Sequence, residues 1–349
     1  MRKKFAVLIS TYGEVEEPTI ENLLPNSKRI IQMVTCQIAT ISKMLHHAIA
    51  GFRSVKRRKT WTKAGYQSRL NQINRQQMTL ISQKIKPCLN TLDEPVDVDF
   101  FEAYYFVPPY LEDVVRQVNN NGYDEVIIIS MLPIESAFSC GVACKIVMEE
   151  LTEPYLLNTH VVGSLWRDEQ LVKIFTEHVF SKVRQTNFYY PKEKTGLILA
   201  AHGTLVRDGN GNEPPVPTGL KQTFEFFDLI KREILTDSRN CFQDVKLGCL
   251  NHKFGGEWTH ETMELAMQEF QVAGVENLAL FPFGFFADNS EVDFEAKKNL
   301  QKSNFQNTLY IECVNDSEPF AMWLAEKIIS KIQMVQNLRR FTEAVGQKA

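Results

Sequence analysis

A chain of 349 residues is too long for one ordinary core and suits two domains of common size. Its 44% hydrophobic and 23% charged content excludes a disordered chain, and a formal net charge of −3 excludes a broad cationic nucleic-acid surface. The one local basic run, Lys56, Arg57, Arg58 and Lys59, reads as a solvated loop.

In chain order, the opening MRKKFAVLIS passes directly into an apolar run, FAVLIS (5–10), that reads as a strand rather than as a signal segment with a cleavage site. The stretch Ile30–Phe52 is the most lipid-like, but Gln32, Gln37, Lys43, His46 and His47 interrupt it. It falls short of the roughly 20 apolar residues that a spanning helix needs, so only peripheral membrane contact stays open. VDFFEAYY (98–105), EVIIIS (125–130) and HVVGSL (160–165) then read as buried strands, separated by helical patterns at Tyr110–Asn119 and Cys140–Leu151. A helix over Glu169–Val183 leads into a linker at Gln185–Lys194. The second half repeats the alternation: strands GLILAAH (196–202), VKLGCL (245–250) and LALFPF (278–283), with helices at Gly219–Leu235 and Thr259–Gln271. Glu318–Arg340 is a last helix.

Strand alternating with helix predicts an α/β protein of two doubly wound, Rossmann-like lobes with parallel sheets and a cleft between them, ligands lying beyond the carboxyl ends of the strands. We expect an N-terminal lobe at 1–165, a C-terminal lobe at 166–317, and the helix at 318–340 packed back on the first. VNNNGYDEVIIISMLP (118–133) and FQVAGVENLALFPFG (270–284) share a helix end, Gly turn, acidic residue, strand and Pro, a pattern that either marks an internal repeat or is common to such units. The seven cysteines (36, 88, 140, 144, 241, 249, 313) are scattered without a CxxC pair, which fits a reducing cytoplasm.

Two segments carry chemistry. In TGLILAAHGTLVRDGNGNEPPVPTG (195–219) an apolar strand delivers His202 at its carboxyl end, where an imidazole accepts a proton or binds a borderline metal; a rim histidine satisfied by the following loop is the plainer alternative. In LALFPFGFFADNSEVDFEAKKNL (278–300) Asn289 or Ser290 caps a helix that sets Glu291 and Glu295 on one face. Such a line of carboxylates suits a hydrated divalent cation, or is simply a solvated first turn favoured by the helix dipole. Aromatic residues near the strand ends, among them Tyr12, Phe106, Phe138, Trp258, Phe283 and Phe285, would wall a flat apolar ligand, although aromatics are more often core. Gly209-Asn210-Gly211 is a turn, not a phosphate loop, and His46-His47 point about 100° apart on a helix. No HExxH, GxSxG or Walker sequence is present.

At His202 and Glu291 the sequence resembles the ferrochelatase family. Ala201-His202 resembles its strand with a catalytic histidine, and PFGFFADNSEV (282–292) its Gly-Phe, Asp-His, acidic signature. Ala6–Gly13, Tyr104–Tyr110 and Pro133–Ser139 resemble its early strand loops, and Trp258 stands where it carries a pocket tryptophan. The resemblance implies a chelatase-like fold and insertion of Fe²⁺ into a porphyrin, protoporphyrin IX or coproporphyrin III, in heme biosynthesis. It implies His202 and Glu291 as catalytic and metal-handling groups, Glu295 as a further metal ligand, and Tyr12, Phe106, Ser136, Trp258 and Phe285 as porphyrin contacts. His202 and Glu291 would face each other across the macrocycle. Fe²⁺ and porphyrin are substrates; no bound cofactor, no iron–sulfur cluster and no nucleic-acid partner are expected, and the chain is a monomer or homodimer. Three features depart from the family: Asn289 stands in the Asp-His pair, Gly65-Tyr66-Gln67-Ser68-Arg69 replaces a Gly-Gly-x-Ser-Pro loop, and Phe106 replaces a polar residue. Smaller sirohydrochlorin and cobalt chelatases share the strand-His-Gly step of Ala201-His202-Gly203 but use a second histidine where this chain offers Glu291. A chelatase for Co²⁺ or Ni²⁺ and a non-catalytic tetrapyrrole-binding protein are the alternatives.

Overall fold

The computed structural model describes residues 2–37, 42–252 and 255–346, with side chains described through Thr342. Its first half runs β1 (Lys3–Thr11), α1 (Ile20–Met33), α2 (Lys43–Ala64), α3 (Leu70–Leu89), β2 (Val96–Tyr104), α4 (Leu111–Asn120), β3 (Glu125–Ser130), α5 (Cys140–Glu150), α6 (Glu153–Leu156), β4 (Thr159–Val162) and α7 (Glu169–Gln185). The second half runs β5 (Thr195–His202), β6 (Leu205–Asp208), α8 (Leu220–Thr236), β7 (Asp244–Leu250), β8 (Gly256–Trp258), α9 (Met263–Val272) and β9 (Asn277–Phe281). A π-helical segment, Ser290–Ala296, then leads into α10 (Lys297–Gln301), β10 (Asn307–Tyr310) and α11 (Glu318–Gly346).

Two parallel sheets form, ordered β2-β1-β3-β4 and β10-β9-β5-β7, beside a small antiparallel pair of β6 and β8. Numbered within its own half, each parallel sheet has the order 2-1-3-4. The segments 118–133 and 270–284 lead into β3 and β9, the third strand of each, so their likeness reflects equivalent places in two similar halves.

Period-two alternation explains why the strand sequences are apolar throughout. In β1, Phe5, Val7 and Ile9 enter one cluster while Ala6 and Leu8 enter another with Val114, Val118 and Ile146. In β5, Leu197 and Leu199 join the first cluster, whereas Ile198 and Ala200 pack with Met263, Phe270 and Leu280. The inner faces of both sheets therefore share one apolar layer, filled by Ile81 and Ile85 of α3, Phe175 and Val179 of α7, Phe226 of α8 and Trp323 of α11. A buried side chain of this kind contributes about 1.5–3 kcal/mol, so that layer holds the halves together. Helix α11 packs along α3 and reaches α7, and its later residues bond back to the first half: Gln336 Nε2 donates to Glu94 O at 2.6 Å and Arg339 Nε to Glu125 Oε1 at 2.7 Å.

Strand HVVGSL is shorter than its pattern, ending at Val162, because Ser164 turns the chain with φ 56° into a 3₁₀ turn. Helices α1 to α3 lie between residues 20 and 89, where sequence periodicity marks none. Pro25 and Pro87 sit inside α1 and α3, and the buried face of α3 includes Asn71, Asn74 and Gln77, so polar residues break the apolar period. The basic run at 56–59 is correspondingly not a loop but part of α2. Within Ile30–Phe52, residues 38–41 lie outside the described residues. Among the described residues no helix is long and apolar enough to cross a membrane.

Candidate active site

The carboxyl ends of β5, β7, β9 and β1 converge. His202 is the last residue of β5 and pairs with Leu250, the last of β7. Gly203 follows, and only glycine fits there: a Cβ would lie 1.8 Å from Asn251 Oδ1. That close approach brings His252 over His202, with the two Nε2 atoms 3.1 Å apart and the ring centres 4.9 Å apart. Trp258 of β8 backs the pair, its ring 5.0 Å from His252 and 6.1 Å from His202.

The tautomer of His202 follows from its other nitrogen. Nδ1 lies 2.6 Å from Gly203 O, which can only accept, so Nδ1 carries the hydrogen and, in the neutral ring, Nε2 bears the lone pair. That lone pair accepts from His252 Nε2–H at 3.1 Å, and Glu291 Oε1 lies 3.8 Å from the same nitrogen.

Glu291 is placed by the loop after β9. Gly284 packs against Ala201, and its N–H donates to Ala200 O at 3.2 Å. Asn289 Oδ1 caps the π-helical segment by accepting from Glu291 N at 3.0 Å, and its Nδ2 donates to Ala287 O. The residue that departs from the Asp-His pair is therefore a cap whose side chain is spent on backbone. Asp288 is buried beneath, accepting from Tyr310 Oη, Cys313 N and Asn315 Nδ2, each at 3.0 Å. Asp288→Ala leaves these donors unsatisfied and is expected to lower stability by about 3 kcal/mol, read as a fall in the urea midpoint at unchanged slope.

Ser290 does not cap. Its Oγ and N–H both donate to Glu14, at 2.5 and 3.0 Å, while Ser68 Oγ donates to the same carboxylate at 2.6 Å. The altered Gly65–Arg69 loop thus supplies a partner for Glu14, after Gly65 has ended α2 at φ 63°. Glu295 lies one turn beyond Glu291; burial first, and then the Glu291 charge, push its carboxyl above the ordinary range, with Arg57 and Arg53 opposing. Burial and Arg57 bring Arg53 down to about 10, against the pull of Glu291, Glu295 and Glu14. Burial, then His202, Arg53 and Arg57, hold His252 at about 3, so it is neutral.

Tyr12 follows β1; burial of its hydroxyl, then the Glu291 charge, push its pKa up. Its ring stacks on Phe106 at 5.7 Å, and Phe285 packs behind it with Val292 and Cys313. Phe106 and Phe285 are themselves buried, so they back Tyr12 rather than face an open cleft. Ser136 stands in the loop after β3, where it bonds to Ser139 and packs against Gly219.

One expectation is corrected by geometry. A flat ring between two groups needs about 7 Å, whereas His202 and Glu291 stand 3.8 Å apart, too close to flank one from opposite sides. Sequence reading missed His252 and Glu14 as members of this cluster and read Arg57 only as part of a solvated basic run. A signal for His252 was available, since Asn251-His252 follows an apolar strand as His202 ends one.

Known proteins place the cluster in context. The sirohydrochlorin chelatase SirB from Bacillus subtilis subspecies spizizenii, solved with cobalt, matches with a TM-score of 0.42 at 10% identity, over 93% of either chain. A Deinococcus radiodurans protein described as similar to chelatases gives 0.45 at 12% identity, over 93% of this chain and 55% of its own. A ferrochelatase of Sulfurimonas denitrificans is 20% identical over 341 residues, 93% of this chain and 98% of the relative. A coproporphyrin III ferrochelatase of Staphylococcus aureus is 24% identical over 218 residues, 60% of this chain and 66% of the relative. The ferrochelatase family model matches residues 4–332, and the chain belongs to the ferrochelatase family of metal-inserting enzymes.

Proposed function

We propose that this chain inserts Fe²⁺ into a porphyrin, either protoporphyrin IX or coproporphyrin III, with His202 and Glu291 acting together on one face. The observation that carries the reading is the His202 Nε2 lone pair, fixed by the Nδ1 bond to Gly203 O and held 3.8 Å from a carboxylate. Insertion needs two pyrrole N–H protons to leave and a divalent ion to shed water, hence a base and oxygen ligands close together. His202 Nε2 takes a pyrrole proton, and Glu291 stabilises the imidazolium formed and offers an oxygen to the ion. Glu295 and Glu14 extend the acidic line, which Arg53 and Arg57 keep from excess charge. Tyr12, backed by Phe106 and Phe285, and Trp258 supply aromatic contacts for the ring.

The His202–His252 pair favours a second reading, a chelatase for Co²⁺ or Ni²⁺, since imidazole suits both ions. Anaerobic competition of Fe²⁺, Co²⁺ and Ni²⁺ on protoporphyrin IX, coproporphyrin III and sirohydrochlorin separates the readings. Preference for Fe²⁺ on either porphyrin supports the first; preference for another ion or for sirohydrochlorin overturns it.

The same reading puts peripheral membrane contact on α2. Met44, Leu45, Ile49, Phe52 and Val55 are exposed on an arc that Lys56, Lys59 and Lys63 continue. Co-sedimentation with anionic vesicles is expected, and Phe52→Glu should abolish it; equal sedimentation of both proteins would contradict the placement.

A further inference from the structure

Among the described residues no hydrogen bond holds the carboxylate of Glu291: Oε1 stands 3.8 Å from His202 Nε2, beyond hydrogen-bond length, and Oε2 is buried without a partner. Its position therefore comes from the backbone that carries it, and one short loop of the other half of the molecule grips that backbone on both sides. Before Glu291, the buried Ser290 gives its Oγ–H to Glu14 Oε1 at 2.5 Å and its N–H to Glu14 Oε2 at 3.0 Å, so each carboxylate oxygen holds a different group of the same residue. After Glu291, Val292 lies in the buried cluster against which Tyr12 packs. Asn289 cannot supply this grip, since its two side-chain bonds are to backbone within two residues of itself.

The loop that does so is fixed in its turn. Gly13 takes φ 70°, and a Cβ there would lie 2.4 Å from Val107 Cγ2 and 2.7 Å from Tyr104 Cβ, so the backbone between Tyr12 and Glu14 lies against the end of β2 as only glycine allows. Asn71 of α3 closes both backbone groups of Glu14: Glu14 N–H donates to Asn71 Oδ1 at 3.0 Å, and Asn71 Nδ2 donates to Glu14 O at 2.8 Å. Ser68 Oγ adds a third bond to the carboxylate at 2.6 Å, so three of its roughly four acceptor sites are taken, by bonds stronger than neutral ones. The charge of Glu14 belongs to the acidic line, but its lone pairs are spent on holding protein. We propose that Glu14 is a positioning residue for Glu291: acting through Ser290, it sets the Glu291 carboxylate relative to His202 and to the Tyr12 ring. The group that receives the ion is thereby kept in register with the wall that receives the porphyrin. Tyr12 and Glu291 share one electrostatic neighbourhood, since burial first, and then the Glu291 charge, push the Tyr12 hydroxyl up.

The inference rests on the reading that Glu291 acts in metal insertion, and a double-mutant cycle separates the two. Anaerobic insertion of Fe²⁺ is measured for the wild type, Glu14→Gln, Glu14→Asp, Ser290→Ala and Glu291→Gln, and for Glu14→Gln and Ser290→Ala each combined with Glu291→Gln, at a temperature where circular dichroism shows the chain folded. Glu14→Gln keeps the size but turns an amide donor toward the serines, and Glu14→Asp keeps the charge but falls one methylene short. Each should lower kcat about 10- to 100-fold, the scale on which a displacement of about 1 Å costs rate, with porphyrin affinity by fluorescence quenching unchanged. On Glu291→Gln the added Glu14→Gln should cost no more than about twofold, because a residue acting through Glu291 has nothing left to place. Ser290→Ala, which keeps the N–H bond, runs the same cycle in a milder form: a smaller loss in the wild type and none on Glu291→Gln. Losses that add in full to that of Glu291→Gln, or Glu14→Asp at the wild-type rate, overturn the positioning role and leave the chelatase reading standing. Glu291→Gln at the wild-type rate overturns both.

Discussion

Replacing His202 by Ala is expected to lower kcat for insertion about 10³-fold while the protein remains folded. The side chain is one-third exposed and ends a strand rather than filling the core, and its bonds are to Gly203 O and to His252. Removing it takes away the one Nε2 lone pair fixed beside Glu291, with little packing lost. His252 does not replace it as base, being held at about 3 and a poor proton acceptor at neutral pH. Circular dichroism and the thermal midpoint should match the wild type, and porphyrin binding, followed by fluorescence quenching, should persist. Near-normal turnover would remove His202 from the mechanism.

Glu291→Gln is expected to cost about 10²-fold in kcat/KM while leaving stability equal or slightly raised. The replacement keeps the shape but removes the charge that would stabilise the imidazolium and receive the ion. In the native chain that charge is unfavourably placed. Among the described residues Oε2 is buried without a hydrogen-bond partner, and Glu295 one turn on is pushed upward by burial and by Glu291 itself. Like charges four apart cost a few tenths of a kcal/mol, which the Gln variant regains. Glu295 should therefore titrate lower in Glu291→Gln than in the wild type, a shift that carboxylate NMR detects. Loss of activity accompanied by equal loss of stability would make Glu291 a structural residue instead.

Much of this was readable before any coordinates. The apolar runs at 5–10, 125–130, 196–202 and 278–283 fall on β1, β3, β5 and β9, because strands covered on both faces advertise themselves by consecutive Val, Ile and Leu. His202 at the end of one such run, and Glu291 and Glu295 in the segment after another, were singled out in the sequence, their roles only through the family resemblance. Their mutual geometry was not legible. Sequence separation says nothing about which side of a ligand two strand ends address, and the expected arrangement across a macrocycle gave way to one 3.8 Å contact. The α1–α3 excursion was hidden by buried Asn and Gln and by prolines inside helices, and Arg53 and Arg57 were hidden with it. Glu14 sat two residues from Tyr12, but its role depends on Ser68 and Ser290, which only folding brings to it.

The measurement that tests the central claim most directly is anaerobic incubation of the wild-type chain with Fe²⁺ and each porphyrin, followed through the Soret band. Multiple turnovers of metalloporphyrin per chain are predicted on at least one of the two porphyrins. Tight porphyrin binding with no metal inserted would contradict the account and make this chain a tetrapyrrole carrier.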